Sequence, residues 1–473
     1  MDTKPLIVPG AHKKKRRRLG AVLSGFGRRL LVCSRSYLLY ALVVACFIFV
    51  AFSERKAPPK PKMEVRRDSA VPWEATDSVV AHANREQLDA IQRSPPELQP
   101  HLRAANKSRQ PIVLYWHRYF VDEYDLFVPK NTELECPYRC LHTDDREHAA
   151  GAAVRVFHER SFDPDDLPPA NPRAFNVYHT LEPPFLTFSA YAKPGKPLLL
   201  DYFNATSSYR SKSAIFYPYD RFVKRTGDEK PAEVWSEKEV DAKIAKKKRP
   251  VLIAYSNCNS HSARQDYVKE LSKHLHVTIL GLCPGANAKC EKDPDGRALR
   301  RDMPCLQQLN EEHFFYLAFE NSVCPEYVSE KFFRAKQMIV PVVLSRAVMP
   351  PDIPADSYIA ASDFESPAAL AHHMKHLMNN RTEYKKYFNW TKSYRKSKLA
   401  ESEVRVACQL CKLAHSKQPM RILDYKAYWT TDECPQDYAH LLVSDHKKAK
   451  AAEQKLATLM RETYRPRFID QIL

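Results

Sequence analysis

Between residues 251 and 282 the chain reads VLIAYS, then SARQDYVKELSKHL, then VTILGL, two largely apolar runs on either side of an amphipathic stretch. Apolar runs without polar alternation are the pattern of strands buried on both faces, which occur in parallel sheets covered by helices. In the middle piece Val268, Leu271 and Leu275 recur at helical spacing, so helix 262–275 has one apolar face. Neighbouring parallel strands need a crossover, and the order strand, helix, strand supplies one.

The alternation continues through FFYLAF at 314–319, a predicted helix 327–338, VPVVLS at 340–345 and helices at 367–378 and 382–397. An earlier series has strand-like runs at 112–116, 153–158, 175–180 and 214–219, and the charged segment 235–249 separates the two. The reading is therefore α/β with two domains, 111–240 and 250–400, followed by a cysteine-bearing helical segment at 401–473. Ligands of such sheets bind outside the carboxyl ends of the strands, here in a cleft between two domains. With 44% hydrophobic residues the chain is not globally disordered. No segment fits the dinucleotide or P-loop glycine patterns, and the chain has only 10 glycines.

The formal net charge of +18 invites a nucleic-acid reading, which would place the bulk of the chain in the cytosol or nucleus. Half of that charge sits in residues 1–35, which hold ten Lys and Arg and one Asp. Tyr37 to Phe52 follows without a charge and as a helix covers roughly 24 Å, a short span that flanking Ser36, Ser53 and a snorkelling Arg35 extend. A basic flank before the span keeps the N-terminus cytosolic. The expected layout is a cytosolic tail (1–36), a transmembrane signal-anchor (37–53), a Pro-, Lys- and Ser-rich stem (54–110) and a lumenal remainder. A cleaved signal peptide ending at Ala51-Phe52-Ser53 and a nuclear-localisation tail at Lys13 to Arg18 are the competing readings.

Sequons at Asn106, Asn204, Asn380 and Asn389 agree with lumenal exposure, as does the even count of ten cysteines beyond the span. Cys136, Cys140, Cys408 and Cys411 are disulfide candidates whose connectivity the spacing leaves open; a shared zinc site is the alternative. His372 and His376 have metal-ligand spacing, but a solvated helix face accounts for them.

Two segments carry chemistry. Ser256-Asn257-Cys258 ends one strand and Arg264 follows near the start of a helix, a turn suited to a phosphate or simply a capped helix with a solvated arginine. In FENSVCPEYVSEKFF (319–333) a strand ends at Glu320-Asn321-Ser322. The next helix is expected to open with Tyr327, Glu330 and Lys331 on one face. An aromatic, a carboxylate and a cation could serve a base or ribose, sugar hydroxyls and a diphosphate, or be no more than a charged helix surface.

FENSVCPEYVSEKFF, VPVVLS, MPPDIPADSYIAASDF and YKKYFNW, with AYSNCNSHSARQDYVKEL and DYFNATSSYRSKSAIFYPYD upstream, resemble the α1,3-fucosyltransferases, glycosyltransferase family ten, over roughly residues 112–415. The resemblance implies a GT-B fold of two facing Rossmann-like domains behind one transmembrane helix and a stem, in a type II Golgi membrane glycoprotein. It implies inverting transfer of L-fucose from GDP-fucose to the O3 hydroxyl of a GlcNAc in a glycan, with no obligatory metal and manganese at most a stimulant. Carried over by motif, Arg264 and Lys331 contact the diphosphate, and Asn321, Tyr327 and Glu330 hold nucleotide and fucose. Ser256 and Asn257 belong to the same cleft, and Glu182, in HTLEPP after the strand 175–180, is the general base. The chain departs from the family pattern at Glu182-Pro183-Pro184 (for E-S-P), Ser329, Glu326, Ser345 (for Gly) and Asp220 (for Gly). His158 lies in a VFHER segment of either structural or family-motif origin.

Other classes remain: an inactive glycan-binding relative, and a manganese-dependent transferase using Asp163-Pro164-Asp165 or Asp293-Pro294-Asp295 as D-x-D. An antennary and a core GlcNAc acceptor both fit the family motifs.

Overall fold

The structure is a computed structural model and describes residues 110–117, 136–163, 165–168, 171, 173–191, 202–290, 304–396, 400–416, 428–429 and 433–465. The expected tail and membrane span, the stem apart from Gln110, and the sequon at Asn106 lie outside the described residues. No helix among the described residues is long and apolar enough to cross a membrane.

Two parallel sheets organise the chain, as the apolar runs require. The first contains β1 (Ile112–Tyr115), β2 (Leu141–Thr143), β3 (Val154–His158), β4 (Phe175–His179), β5 (Ala205–Ser208) and β6 (Ile215–Phe216) in the order β2-β1-β3-β4-β5-β6. The second contains β7 (Arg249–Ala254), β8 (Val277–Leu280), β9 (His313–Leu317), β10 (Val340–Val343) and β11 (Ile359–Ala360) in the order β11-β10-β9-β7-β8. All pairs are parallel, with Val156 opposite Val177 in one sheet and Leu252 opposite Tyr316 in the other. Every residue of β3, β4, β9 and β10 is buried, the two-faced burial that parallel strands need.

Helices supply the covering faces. Val406, Leu410 and Leu413 of helix Ala400–Ala414 pack on Val113, Val154 and Val177 of the first sheet. Helices Arg264–Leu271, Pro367–Asn379, Tyr438–Ser444 and His446–Thr463 cover the second. Val268, Leu271 and Leu275 are all buried, although the α-helix ends at Leu271 and turns carry the chain to Leu275. A separate aromatic cluster joins Phe157, Tyr178 and Phe203 to Tyr327 and Trp429, so the two sheets share a packed joint.

Disulfides link all ten cysteines beyond the expected span: Cys136–Cys408, Cys140–Cys411, Cys258–Cys283, Cys290–Cys305 and Cys324–Cys434. The first two cross-link helix Ala400–Ala414 to chain 272 and 271 residues away, onto the sheet that this helix covers. Among the described residues, the one group of three His, Cys, Asp or Glu side chains close enough to share an ion is Cys140, Cys411 and His415, and its two cysteines are bonded to each other.

Four expectations of local structure are corrected. The charged segment 235–249 contains helix Glu237–Ala245, started by a reciprocal Ser236 and Glu239 capping box and fixed by buried Val240 and Ile244. The predicted helix 327–338 is a 3-10 turn, Phe332–Gln337. Before it Glu326 adopts a left-handed φ of 63°, and the Glu320 carboxylate accepts from the Ser329 amide and hydroxyl, so the segment 326–331 follows a clasped loop. The predicted helix 382–397 breaks into Arg381–Lys386 and a 3-10 turn Asn389–Lys392, because Tyr384, Phe388 and Trp390 must all reach the core and do not share a helical face. β5 went unread because ATSS carries no large apolar side chain; its buried Ser207 and Ser208 hydroxyls meet His179 Nδ1 (3.1 Å) and Ser213 (2.5 Å) instead.

Candidate active site

At the carboxyl end of β9 the chain continues Ala318-Phe319-Glu320-Asn321 into an irregular loop. Glu320 is its organiser: one carboxylate oxygen accepts from the Ser329 amide (2.9 Å) and hydroxyl (2.7 Å), and the other lies 3.2 Å from Lys331 Nζ. Lys331 also reaches the Ser329 hydroxyl at 2.9 Å and the Glu330 carboxylate at 3.1 Å. Burial opposes the charge on Lys331, yet Glu320 and Glu330 hold its ammonium above the usual lysine range. Burial likewise opposes ionisation of Glu330, but Lys331 and Arg334 outweigh it and hold that carboxyl well below its usual value. Tyr327, Glu330 and Lys331 are thus brought together by a carboxylate-clasped loop and not by the helix face expected.

The turn after β7 brings the second cation. Cys258–Cys283 ties this turn to the end of β8, and Ala263, in a left-handed conformation, leads into helix Arg264–Leu271. The Arg264 side chain is buried: its guanidinium donates to the Phe319 carbonyl at 2.7 Å and the Asn257 carbonyl at 3.3 Å and lies 5.1 Å above the Tyr255 ring. Burial lowers its pKa, with Glu320 pulling the other way, so it shares one electrostatic neighbourhood with the Lys331 loop. Ser256 and Asn257 stand exposed in the same turn, where Asn257 offers its carbonyl to Arg264. Asn321 accepts the Ser262 amide on its carbonyl at 2.8 Å, while its buried side-chain Oδ1 has no partner among the described residues. An unpaired buried carbonyl costs about 1–3 kcal/mol and is an open acceptor for a ligand.

From the first sheet comes Glu182, three residues beyond β4. Its amide donates to Thr180 Oγ1 at 3.1 Å; Thr180 and Thr187 both bond the buried Glu159 carboxylate, at 2.7 and 3.1 Å. Tyr327 then spans the cleft, its hydroxyl donating to Glu182 Oε2 at 3.4 Å. Burial pushes that hydroxyl well above the usual tyrosine pKa, helped by Tyr219, Glu182, Glu320 and Glu330, so it stays a donor. Tyr219 closes the same corner by donating to the Leu181 carbonyl at 2.7 Å, and Tyr209 packs 5.0 Å from Tyr327.

Sequence reasoning passed over Glu320, Glu159 and Ser329 as functional groups, although Glu320 stands inside FENS. The departures from the family pattern also find partners. Asp220 pairs with Lys336 at 2.7 Å, Glu326 accepts the Ser211 amide at 2.7 Å, and the Ser345 hydroxyl bonds Glu453 at 2.6 Å. His158 packs 5.4 Å from His179 beneath the first sheet's carboxyl end. Of the sequons, Asn389 is exposed and Asn380 caps helix Arg381–Lys386; the Asn204 amide nitrogen donates to the Ala174 carbonyl at 3.2 Å. Asp163 accepts the Asp165 amide within its own loop at 3.1 Å, and Asp293-Pro294-Asp295 lies outside the described residues.

Two parallel sheets thus meet through the loops beyond their carboxyl ends, where the Glu182 carboxylate of one faces Tyr327 in the Lys331-bearing loop of the other, and together they define an α/β protein. Comparison with known proteins makes this specific. Residues 244–429 match the model described as glycosyltransferase family 10 (fucosyltransferase) C-term, and residues 108–220 match the one described as fucosyltransferase, N-terminal. The human 4-galactosyl-N-acetylglucosaminide 3-alpha-L-fucosyltransferase FUT6 is 30% identical over 298 residues, which cover 60% of this chain and 74% of that one. The alpha-(1,3)-fucosyltransferase fut-1 of Caenorhabditis elegans is 32% identical over 308 residues, 62% of this chain; the match spans 65% of the nematode protein's length. A crystal structure of an alpha1,3-fucosyltransferase with GDP-fucose aligns at a TM-score of 0.39 and 13% identity, over 68% of this chain and 99% of that chain, too loose for residue-level comparison. The chain belongs to glycosyltransferase family 10.

Proposed function

We propose that the chain is an inverting α1,3-fucosyltransferase that moves L-fucose from GDP-fucose to the O3 hydroxyl of a GlcNAc in a glycoprotein or glycolipid glycan. The observation that carries this reading is the contact between Tyr327 and Glu182, which sets a carboxylate of one sheet against the cationic loop of the other. The acceptor oxygen attacks the anomeric carbon of fucose, the bond from that carbon to the phosphate oxygen breaks, and the acceptor proton passes to Glu182. Charge then grows on GDP, where Arg264 and Lys331 stand ready; fixed cations in a dry cleft stabilise a leaving anion without reorganising at the moment of reaction. Asn321 and Glu330 bond the nucleotide and sugar, and the Tyr327 hydroxyl keeps Glu182 oriented as a carboxylate. Ser256 and Asn257 line the same cleft. The two parallel sheets are those a GT-B fold requires.

The basic tail, apolar span and sequons support a type II Golgi membrane protein with this site in the lumen; a glycosidase-sensitive mass shift, smaller by one glycan in Asn389→Gln, tests that placement. The activity is tested by incubating the purified chain with GDP-fucose and a panel of antennary and core GlcNAc glycans, read by mass spectrometry. A fucose-sized mass gain on one acceptor class supports the reading. Binding of glycan with neither transfer nor hydrolysis of GDP-fucose favours an inactive relative instead.

A further inference from the structure

Three large apolar side chains stand exposed among the described residues: Leu141, Phe185 and Leu282. Phe185 is the aromatic one, and its place is unlike the other two. It follows Glu182 by three residues at the start of helix Pro184–Tyr191, and its ring stacks on the imidazole of His261, centroids 4.2 Å apart and planes 27° apart. His261 belongs to the turn between β7 and helix Arg264–Leu271, three residues before Arg264. One ring therefore comes from each sheet's loops, beside the residues assigned to proton transfer and to the leaving group.

Leaving a phenylalanine 39% exposed forgoes apolar burial, yet the backbone beneath it is firmly held. The Thr187 hydroxyl lies 3.1 Å from both the Pro183 carbonyl and the buried Glu159 carboxylate, which fixes the first turn of the helix. His261 is anchored through its carbonyl, which accepts the Asp437 amide at 2.8 Å, while its buried Nδ1 has no hydrogen-bond partner among the described residues. A fixed, exposed aromatic face next to an unpartnered polar atom suits a ligand that is apolar on one side and hydroxylated at its edge. A pyranose ring is such a ligand: its C–H groups carry the partial positive charge that the negative face of an arene attracts, and its hydroxyls seek partners such as Nδ1.

We propose that the Phe185–His261 stack is an acceptor subsite, a platform for a pyranose ring of the glycan whose hydroxyl Glu182 deprotonates. The proposal rests on the reading of Glu182 as base. The full chain and its Phe185→Ala, Phe185→Trp and His261→Ala variants are compared with GDP-fucose and a GlcNAc-bearing glycan, with thermal melts confirming that each is folded. Phe185→Ala is expected to raise the acceptor KM about three- to tenfold. The KM for GDP-fucose and its acceptor-free hydrolysis stay unchanged, and Phe185→Trp retains the parent acceptor KM. A rise in the GDP-fucose KM instead, or no change in either, overturns the subsite. Direct titration with the glycan separates this outcome from failure of the underlying reading. Glycan binding that is lost in Phe185→Ala supports the subsite even without turnover, whereas a parent chain that neither binds glycan nor turns over donor overturns both.

Discussion

The Tyr327 hydroxyl lies 3.4 Å from the Glu182 carboxylate, joining residues 145 positions apart in sequence and carried by the loops of different sheets. It joins the carboxylate that follows β4 of the first sheet to the loop that follows β9 of the second. Around it Tyr209 and Tyr219 pack their rings against Tyr327 from the first sheet's side.

Lys331 is held by Glu320, Glu330 and Ser329, so its ammonium is fixed in place by the protein itself. Lys331→Met is expected to lower turnover of GDP-fucose by about 10²- to 10³-fold, the range for losing one charge-stabilising donor. Steady-state kinetics check this, and turnover within about threefold of the parent would remove Lys331 from the leaving-group role.

Glu453, on helix His446–Thr463, gathers the hydroxyls of Ser345 (2.6 Å), Ser362 (3.0 Å) and Tyr438 (2.5 Å) and the Ala347 amide (2.9 Å). Replacing it strands several of these groups in the interior. Glu453→Ala is expected to cost about 2–4 kcal/mol of stability, with Glu453→Gln costing less. Denaturant unfolding measures both, and equal, negligible losses would show the hub to be dispensable.

His313 is fully buried, its Nδ1 2.6 Å from the Leu309 carbonyl and its Nε2 2.8 Å from the Thr278 hydroxyl, and burial pushes its pKa down to about 4. Burial likewise takes His179 to about 4. Unfolded histidines titrate near 6.5, so between about 6.5 and 4 the unfolded chain binds more protons and stability falls as the pH falls. Melting temperature should therefore decline through that window, and less steeply in His313→Asn. A melting curve that does not move from pH 7 to 4.5 would contradict the neutral, buried assignment.

The parallel sheets were legible because VLIAYS, VTILGL, FFYLAF and VPVVLS are apolar on both faces, and only two-sided burial accommodates such runs. Helix Glu237–Ala245 was obscured by its charges, since Val240 and Ile244 give it a single apolar pair. β5 was obscured by the opposite cause, buried serines whose hydrogen-bond partners lie far off in sequence. The candidate residues were chosen from motifs, which carry no signal for their arrangement. A helical reading of Tyr327, Glu330 and Lys331 rested on spacing alone, whereas Glu320, nine residues before Ser329, captures the Ser329 amide and hydroxyl and shapes the loop. Likewise no local signal in HTLEPP points to Tyr327.

Glu182 is the centre of the proposed mechanism, and Glu182→Gln tests that role most directly because the amide keeps the shape and can still meet Tyr327 but cannot take a proton at neutral pH. Single-turnover transfer from GDP-fucose to a GlcNAc acceptor is predicted to slow by about 10²- to 10⁴-fold, with GDP-fucose affinity unchanged. A loss of less than about fivefold would contradict Glu182 as the base and with it the mechanism built on this cleft.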